Sequence, residues 1–594
     1  MYRLGGEWEA GRLTVRAEGA ISTSDTVNSD FSTTLDFINP NHLPVSAASI
    51  DNGVPIEFDL TGGTLQFGIA QGLSATPTTA HLLDPANYAL RQVNQSLGVF
   101  ENKEIAGRLD VSYDLTDDWT FIASIDAGYR YNATSSLGDL NVRNVGLTNA
   151  AAINRPRANR FSDIIVAGPN NFGSADGRRL FIRDFLIIDP ARSFSDPAAI
   201  LASLNAAITA NNAATTGTDI ALITTPTQQV TAFFDINEET HALYGQVNFD
   251  GRDIGLPARG NLGLRYVKTN VSSLGNTQTA GSTVVTPVVR EGSYEFFLRR
   301  FNLVIEPAED VLLRAGVSRD INRPDFDDLS TSVAFGTGPN TPVPVGNPDL
   351  VPEAVWSFDL SGEYYFAPAS FLSLGVFRKT RTNLFSEVRI DPLPTRDVNG
   401  GLAIDITDPC EGGGIFNPIA DRNINNVMNP GTGICVPVTT TANGQGSTTQ
   451  TGIEVAFQYD LSQFEDALGF ASGFGFIGNY TYQKTGGSAQ NFASNFRTAD
   501  GPQGAFSALG IIGAQDRITL PNLSKHSYNA TLYFEKYGLS ARARYTWRSS
   551  YVAEDSFFFG LPRINGSRGQ LNASINYDIT DNINVSTVLA QITR

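Results

Sequence analysis

Chemistry has few places to start in this chain of 594 residues. There are two cysteines, Cys410 and Cys435, and four histidines, His42, His81, His241 and His526. No histidines stand at metal-binding spacing. There is no phosphate-cradling Gly-Lys-Thr/Ser loop and no nucleophile elbow. The acidic run Asp325-Phe326-Asp327-Asp328 offers hard oxygen ligands, but the spacing of calcium loops is missing and the run reads as a solvated loop. Cys410 and Cys435 share one long polar stretch. In an oxidising compartment a disulfide would close that stretch; two free thiols are the alternative. The expectation is therefore a non-enzyme with no catalytic, cofactor-binding or metal-binding residues, and with substrate-binding residues that the sequence cannot name.

The elements that carry these residues are strands. In Glu353 to Lys379, Trp356, Phe358, Leu360, Tyr364 and Phe366 sit at alternate positions, with Ser357, Asp359, Ser361 and Glu363 among the positions between them. That is period two, which makes one face apolar and the other polar. A turn follows at Ala367-Pro368-Ala369-Ser370. Leu372, Leu374 and Val376 then alternate with Ser373, Gly375 and Phe377. Hydrophobic residues make up 41% of the chain, too few for a bundle of membrane helices, and no apolar run approaches the ~18 residues of a spanning helix. A membrane strand needs only ~9–11 residues with half of them apolar, so a transmembrane β-barrel remains open. The net charge of −18 argues against nucleic acid as a partner.

Eight hairpins are readable by this alternation: residues 2–21, 105–131, 241–269, 294–320, 353–379, 451–483, 526–549 and 570–590. Their expected turns include Glu9-Ala10-Gly11, Thr116-Asp117-Asp118, Glu306 to Asp310, Lys536-Tyr537-Gly538 and Thr580-Asp581-Asn582. The links between hairpins are long and rich in Gly, Pro, Asn, Ser and Thr: 22–96, 132–239, 270–293, 321–353, 380–450, 484–525 and 550–569. Short turns on one side and long loops on the other are the outer-membrane pattern. Aromatic residues gather at the short-turn side, among them Trp8, Trp119, Tyr365, Phe371 and Tyr577. Arg108, Arg314, Arg542 and Arg544 fall on polar strand faces, where a hydrated lumen would accept them. One link holds a helical stretch, Asp196 to Ala210, with Ser195 or Asp196 as N-cap and Pro197 at the first position.

Two runs, Asn322-Arg323-Pro324-Asp325-Phe326-Asp327-Asp328-Leu329 and Gly346-Asn347-Pro348-Asp349-Leu350-Val351-Pro352-Glu353, resemble the barrel signature of TonB-dependent outer-membrane receptors. Leu256 to Tyr266, Leu523 to Asn529 and Tyr577 to Asn582 are further matches, and together they are similar to the Caulobacter-type subgroup. The resemblance implies an all-β, antiparallel transmembrane β-barrel, 22-stranded in the family, with a plug folded inside. Roughly 16–18 strands are expected here. Residues 1–594 would be one receptor β-barrel domain, without the signal peptide, TonB box, plug, first strands and closing strands. The implied partners are outer-membrane lipid, the TonB–ExbB–ExbD complex through the part not present, and a small-molecule or oligosaccharide ligand. The implied location is the cell outer membrane of a Gram-negative bacterium, and the implied function is energised uptake of a nutrient. An oligosaccharide is the first expectation for the ligand and a ferric siderophore the alternative. A passive porin and a surface-binding β protein are readings of another class.

Overall fold

The computed structural model describes the chain apart from residues 44–52, 60, 62–65, 117–118, 148–151, 170–181, 183, 216–218, 280–281, 283, 339–340, 393–394, 397–401, 404–407, 421, 425–426, 430–432, 488–519, 521, 559–560, 581 and 591–594. An 18-stranded, mostly antiparallel sheet dominates. Two of its strands are short, Thr227–Gln228 and Val333–Phe335. The others form a meander in chain order. Its first half is β1 (Tyr2–Ala10), β2 (Leu13–Phe37), β3 (Tyr88–Asp114), β4 (Ile122–Gly146), β5 (Phe234–Asp250), β6 (Ala258–Thr279), β7 (Val285–Ala308) and β8 (Val311–Asn322). The second is β9 (Glu353–Ala367), β10 (Ser370–Thr382), β11 (Ser447–Asp460), β12 (Phe474–Gly487), β13 (His526–Lys536), β14 (Leu539–Arg548), β15 (Arg568–Thr580) and β16 (Ile583–Leu589). Among the described residues no helix is long and apolar enough to cross a membrane, which says nothing about strands.

The chain folds as two compact units. The first comprises Met1–Ser24, Asn102–Leu137 and Phe234–Arg594. Its register turns the sequence alternation into continuous rows, since directly opposed residues share a face. Leu360 pairs with Val376, Val376 with Ile453 and Ile453 with Tyr482. One position away, Ser361 pairs with Gly375 and Gly375 with Glu454. Leu539, Ala541, Ala543, Tyr545 and Trp547 lie on the apolar face of β14, with Tyr528 of β13 stacked on Trp547. Arg542, Arg544 and Arg548 occupy its other face. A single-residue slip would exchange the two sets.

The strands run well past their expected ends. The link 270–293 is mostly strand, because β6 continues to Thr279 and β7 starts at Val285. Likewise β2 reaches Phe37, β3 begins at Tyr88, β4 reaches Gly146 and β5 begins at Phe234. Beyond the apolar band both faces are polar, as in Ser22 to Asp30, so the alternation disappears while backbone pairing persists. The turn expected over Glu306 to Asp310 is only Glu309-Asp310, because β7 carries through to Ala308 with an irregular register after Ile305. Tyr537 and Gly538, both at positive φ, make the tight turn between β13 and β14. Asp117, Asp118, Asp581, Gln591 to Arg594 and most of the link 484–525 lie outside the described residues.

The second unit comprises Asp25–Glu101 and Gly138–Phe233. It has an apolar core of its own, in which Leu90, Phe161, Ile164, Ile200, Leu204 and Ile208 are fully buried. Helix α1 (Pro197–Ala214) presents Ile200, Leu204 and Ile208 at i, i+4 and i+8, one stripe of a helical surface. Asp196 caps it by accepting from the Ala199 amide, and Pro197 holds the first position. The helix is longer than expected by one turn, and Ser195 ends a separate short helix before it. Arg155, almost wholly buried, pairs with Asp36 at 2.6 Å, and Arg91 adds a second contact to Asp36 at 3.3 Å.

Candidate ligand-binding surface

The polar face of the first unit is a network rather than a scatter of charges. Arg3 and Arg108 converge on Glu18, the latter at 3.1 Å. Tyr244 donates to Asp110 at 2.8 Å, and the Arg265 guanidinium lies 5.4 Å from the Tyr244 ring centre. Asn248 bonds Ser124 and Asp126, and Ser112 also donates to Asp126. Of the other expected arginines, Arg314 grips Glu363, Arg542 pairs with Glu535, and Arg544 donates to Asn529. Self-satisfied ion pairs of this kind hold a hydrated wall at low cost.

The signature runs form a segment laid on β5, β6 and β7. Arg323 donates to Thr240 at 3.0 Å and faces Glu238 at 3.4 Å. Leu329 and Leu350 are buried in one cluster with Ile236, Val271, Tyr294 and Phe296. Two glycines allow the approach. A Cβ on Gly292 would stand 2.1 Å from the Pro348 carbonyl oxygen, and one on Gly275 would stand 2.4 Å from the Ser332 nitrogen. On its far side the segment is tied to the strand Val438–Asn443: Asn347 donates to the Thr441 carbonyl and the Val351 amide to Asn443.

The carboxylates of Asp325, Asp327 and Asp328 can approach within 4.8 Å of one another. They would supply three of the six to eight oxygens a calcium ion takes. Asp325 and Asp327 are exposed, and Asp328 accepts from Thr441 at 2.7 Å. Burial raises the Asp328 carboxyl above its ordinary range; the Thr441 hydrogen bond opposes this and the neighbouring Asp327 and Asp325 reinforce it. Cys410 and Cys435 are joined by a disulfide, with Cα atoms 5.9 Å apart. Cys435 lies on the short strand Ile434–Val436, which pairs with Ile415–Asn417.

Among the described residues, two clefts are large enough for a ligand. The first unit holds one of about 800 Å³, lined by hydroxyl, amide and charged groups that include Lys103, Tyr131, Asn237, Glu239, Asn270 and Glu291. The second unit holds one of about 680 Å³, lined mainly by apolar groups that include Leu35, Phe37, Phe67, Tyr88, Phe185 and Ile188. The histidines do not converge. His81 belongs to a helix cap with Thr78, while His241 and His526 each bond a tyrosine, Tyr129 at 2.6 Å and Tyr480 at 2.8 Å. Sequence reasoning missed both clefts. The stripe Ile200, Leu204, Ile208 was the available signal that the long link carries a core.

The sequence matches the family described as "TonB dependent receptor-like, beta-barrel" over residues 44–591. No curated protein matches it. Among solved structures, the ferric-catecholate import receptor Fiu of E. coli K12 aligns with a TM-score of 0.49 at 10% identity, covering 98% of this chain and 58% of that one. The ferric citrate transporter FecA aligns at 0.43 and 11%, covering 98% and 56%. The ferric yersiniabactin uptake receptor FyuA of Yersinia pestis aligns at 0.41 and 10%, covering 98% and 65%. The chain thus spans less than two thirds of the length of each of these three.

Proposed function

The chain belongs to the TonB-dependent receptor-like β-barrel family, and from that premise we propose that it is wall and loops of an outer-membrane importer, not an enzyme. The observation that carries this is the opposition of the two sheet faces: unbroken apolar rows on one, a network of paired charges on the other. The apolar rows suit lipid and the paired charges a hydrated interior. Import would be driven through TonB–ExbB–ExbD and directed at a small ligand held by the loops. Our first reading of that ligand is a ferric siderophore with aromatic groups, which the apolar cleft beside Phe37, Phe67 and Phe185 would accept. An oligosaccharide is the second reading. It is supported by the hydroxyl-, amide- and carboxylate-lined cleft around Asn237 and Asn270, and by the resemblance to the Caulobacter-type subgroup.

The test is uptake by the full-length receptor in cells with and without TonB, using panels of ferric siderophores and oligosaccharides. TonB-dependent uptake of one panel is expected. Uptake that persists without TonB would make the protein a passive pore, and binding without uptake would make it a surface binder. A Phe37→Ala, Phe185→Ala variant should lose siderophore binding and leave oligosaccharide binding unchanged.

A further inference from the structure

On the apolar face of the first unit, the rows end in basic side chains. The row Leu360, Val376, Ile453 and Tyr482 ends at His526, which pairs with Tyr482. One step further along the strands, Arg378 pairs with Thr451 and Thr451 with Lys484. Lys525 stands beside them, its Nζ 5.7 Å from the Tyr482 ring centre. Arg378, Lys484 and Lys525 are exposed, and none of the four cationic or titratable groups pairs with a carboxylate among the described residues. The same face of β10, β11, β12 and β13 carries no Asp or Glu over residues 372–382, 447–457, 476–486 and 526–534. With strands ~4.8 Å apart, the patch is about 15 Å wide. Beneath it, Tyr480 fixes the His526 ring through Nδ1, and the Tyr482 ring packs against it with centres 5.2 Å apart.

We propose that Arg378, Lys484, Lys525 and His526 form a docking site for the phosphate groups of an outer-leaflet lipid headgroup. The inference rests on the outer-membrane reading above. Long flexible cations at the margin of an apolar band keep their stems in hydrocarbon and their charges at headgroup level. A cluster of one sign, with no carboxylate to neutralise it, calls for an anion, and the guanidinium suits phosphate geometry. The patch lies at the strand ends that lead into the long links, opposite the turn Tyr537-Gly538, so the leaflet it meets is the outer one.

The probe is bisphosphorylated lipid A, titrated by native mass spectrometry onto the full-length receptor and its R378Q/K484Q/K525Q variant in detergent. The variant should bind about a hundredfold more weakly, and enzymatically dephosphorylated lipid should bind wild type no better than the variant binds the intact lipid. Single K484Q and K525Q variants should each lose about fivefold, which keeps the test open if the triple variant misfolds. Equal affinity of wild type and variants would overturn the site. Displacement of the lipid by millimolar inorganic phosphate would overturn the commitment to a lipid. A lipid-phase probe on a cysteine at position 374 separates the two levels. Labelling there with unchanged lipid affinity sinks the site alone, whereas no labelling removes the membrane reading and the site with it.

Discussion

The two units place the same residue types in opposite ways. In the first unit, Leu243, Leu264, Leu360, Leu374 and Leu532 are 48–59% exposed. In the second unit, Leu90, Phe161, Ile200, Leu204 and Ile208 are at 0%. The polar side chains reverse as well: the first unit turns its Arg–Glu pairs onto one shared face, while the second unit buries Arg155 against Asp36. Apolar character alone therefore does not mark a core. The second unit must remove its apolar surface from water, whereas the sheet needs a second solvent to cover its own.

The sharpest way to break this comparison is a cavity in the second unit. Phe161→Ala should cost ~3–5 kcal/mol there, seen as protease cleavage within 138–233 at lower urea, with the far-UV strand signal unchanged. A uniform loss across both units would show that they do not unfold separately. Next in size is the disulfide. Closing a loop of 25 residues is worth ~3.5 kcal/mol in the chain-entropy account. Cys410→Ser with Cys435→Ser should accelerate amide exchange at Ile434–Asn443 and leave the second unit, which has its own core, untouched. Two alkylatable thiols in non-reduced wild type would end that idea. Leu374→Arg should destabilise the sheet in bilayers by ~2–4 kcal/mol, while Ser373→Arg on the other face should be tolerated. Comparable losses at both positions would invert or erase the assigned faces.

The smallest effect is electrostatic. Burial raises the Asp328 carboxyl, so the folded protein holds that proton more tightly than the unfolded chain does. Its contribution favours the folded loop at low pH and is lost as pH rises through the raised value. Asp328→Asn keeps an acceptor for Thr441 and should slow exchange around Thr441 at pH 7, with no difference near pH 3. Faster exchange at pH 7 would contradict the sign.

The hairpins were legible because a membrane-facing strand must alternate, and Trp356 to Phe366 or Leu539 to Trp547 do so visibly. The strand extensions were not. In Ser22 to Phe37 and Thr269 to Thr279 polar residues predominate, and Phe31, Leu35, Phe37 and Val271 pack on buried clusters, so a lipid-facing alternation does not mark the strand. The core of the second unit escaped notice because Leu90, Phe161 and Ile200 come from separate segments, and only the helical stripe of α1 has a local period. The disulfide partners could be chosen by count, since there are only two. The cationic patch could not be found, because Arg378, Lys484 and Lys525 become neighbours only through three strand registers.

The ribbon of β6 and β7 stays in register from Ala258↔Ile305 to Gln278↔Val285. At ~3.4 Å per residue such a ribbon is about 70 Å long, more than twice the ~30 Å of a hydrocarbon layer. A single pair of strands therefore keeps two clocks. Amides near Leu262 and Phe301, which the proposed bilayer would cover, should exchange on the timescale of the whole sheet opening. Those near Thr277 and Thr286 should exchange with the fraying of a tip, many orders of magnitude faster. Rigidity would thus decline along one uninterrupted hydrogen-bond ladder, giving the outer end freedom to sample conformations while the inner end stays fixed.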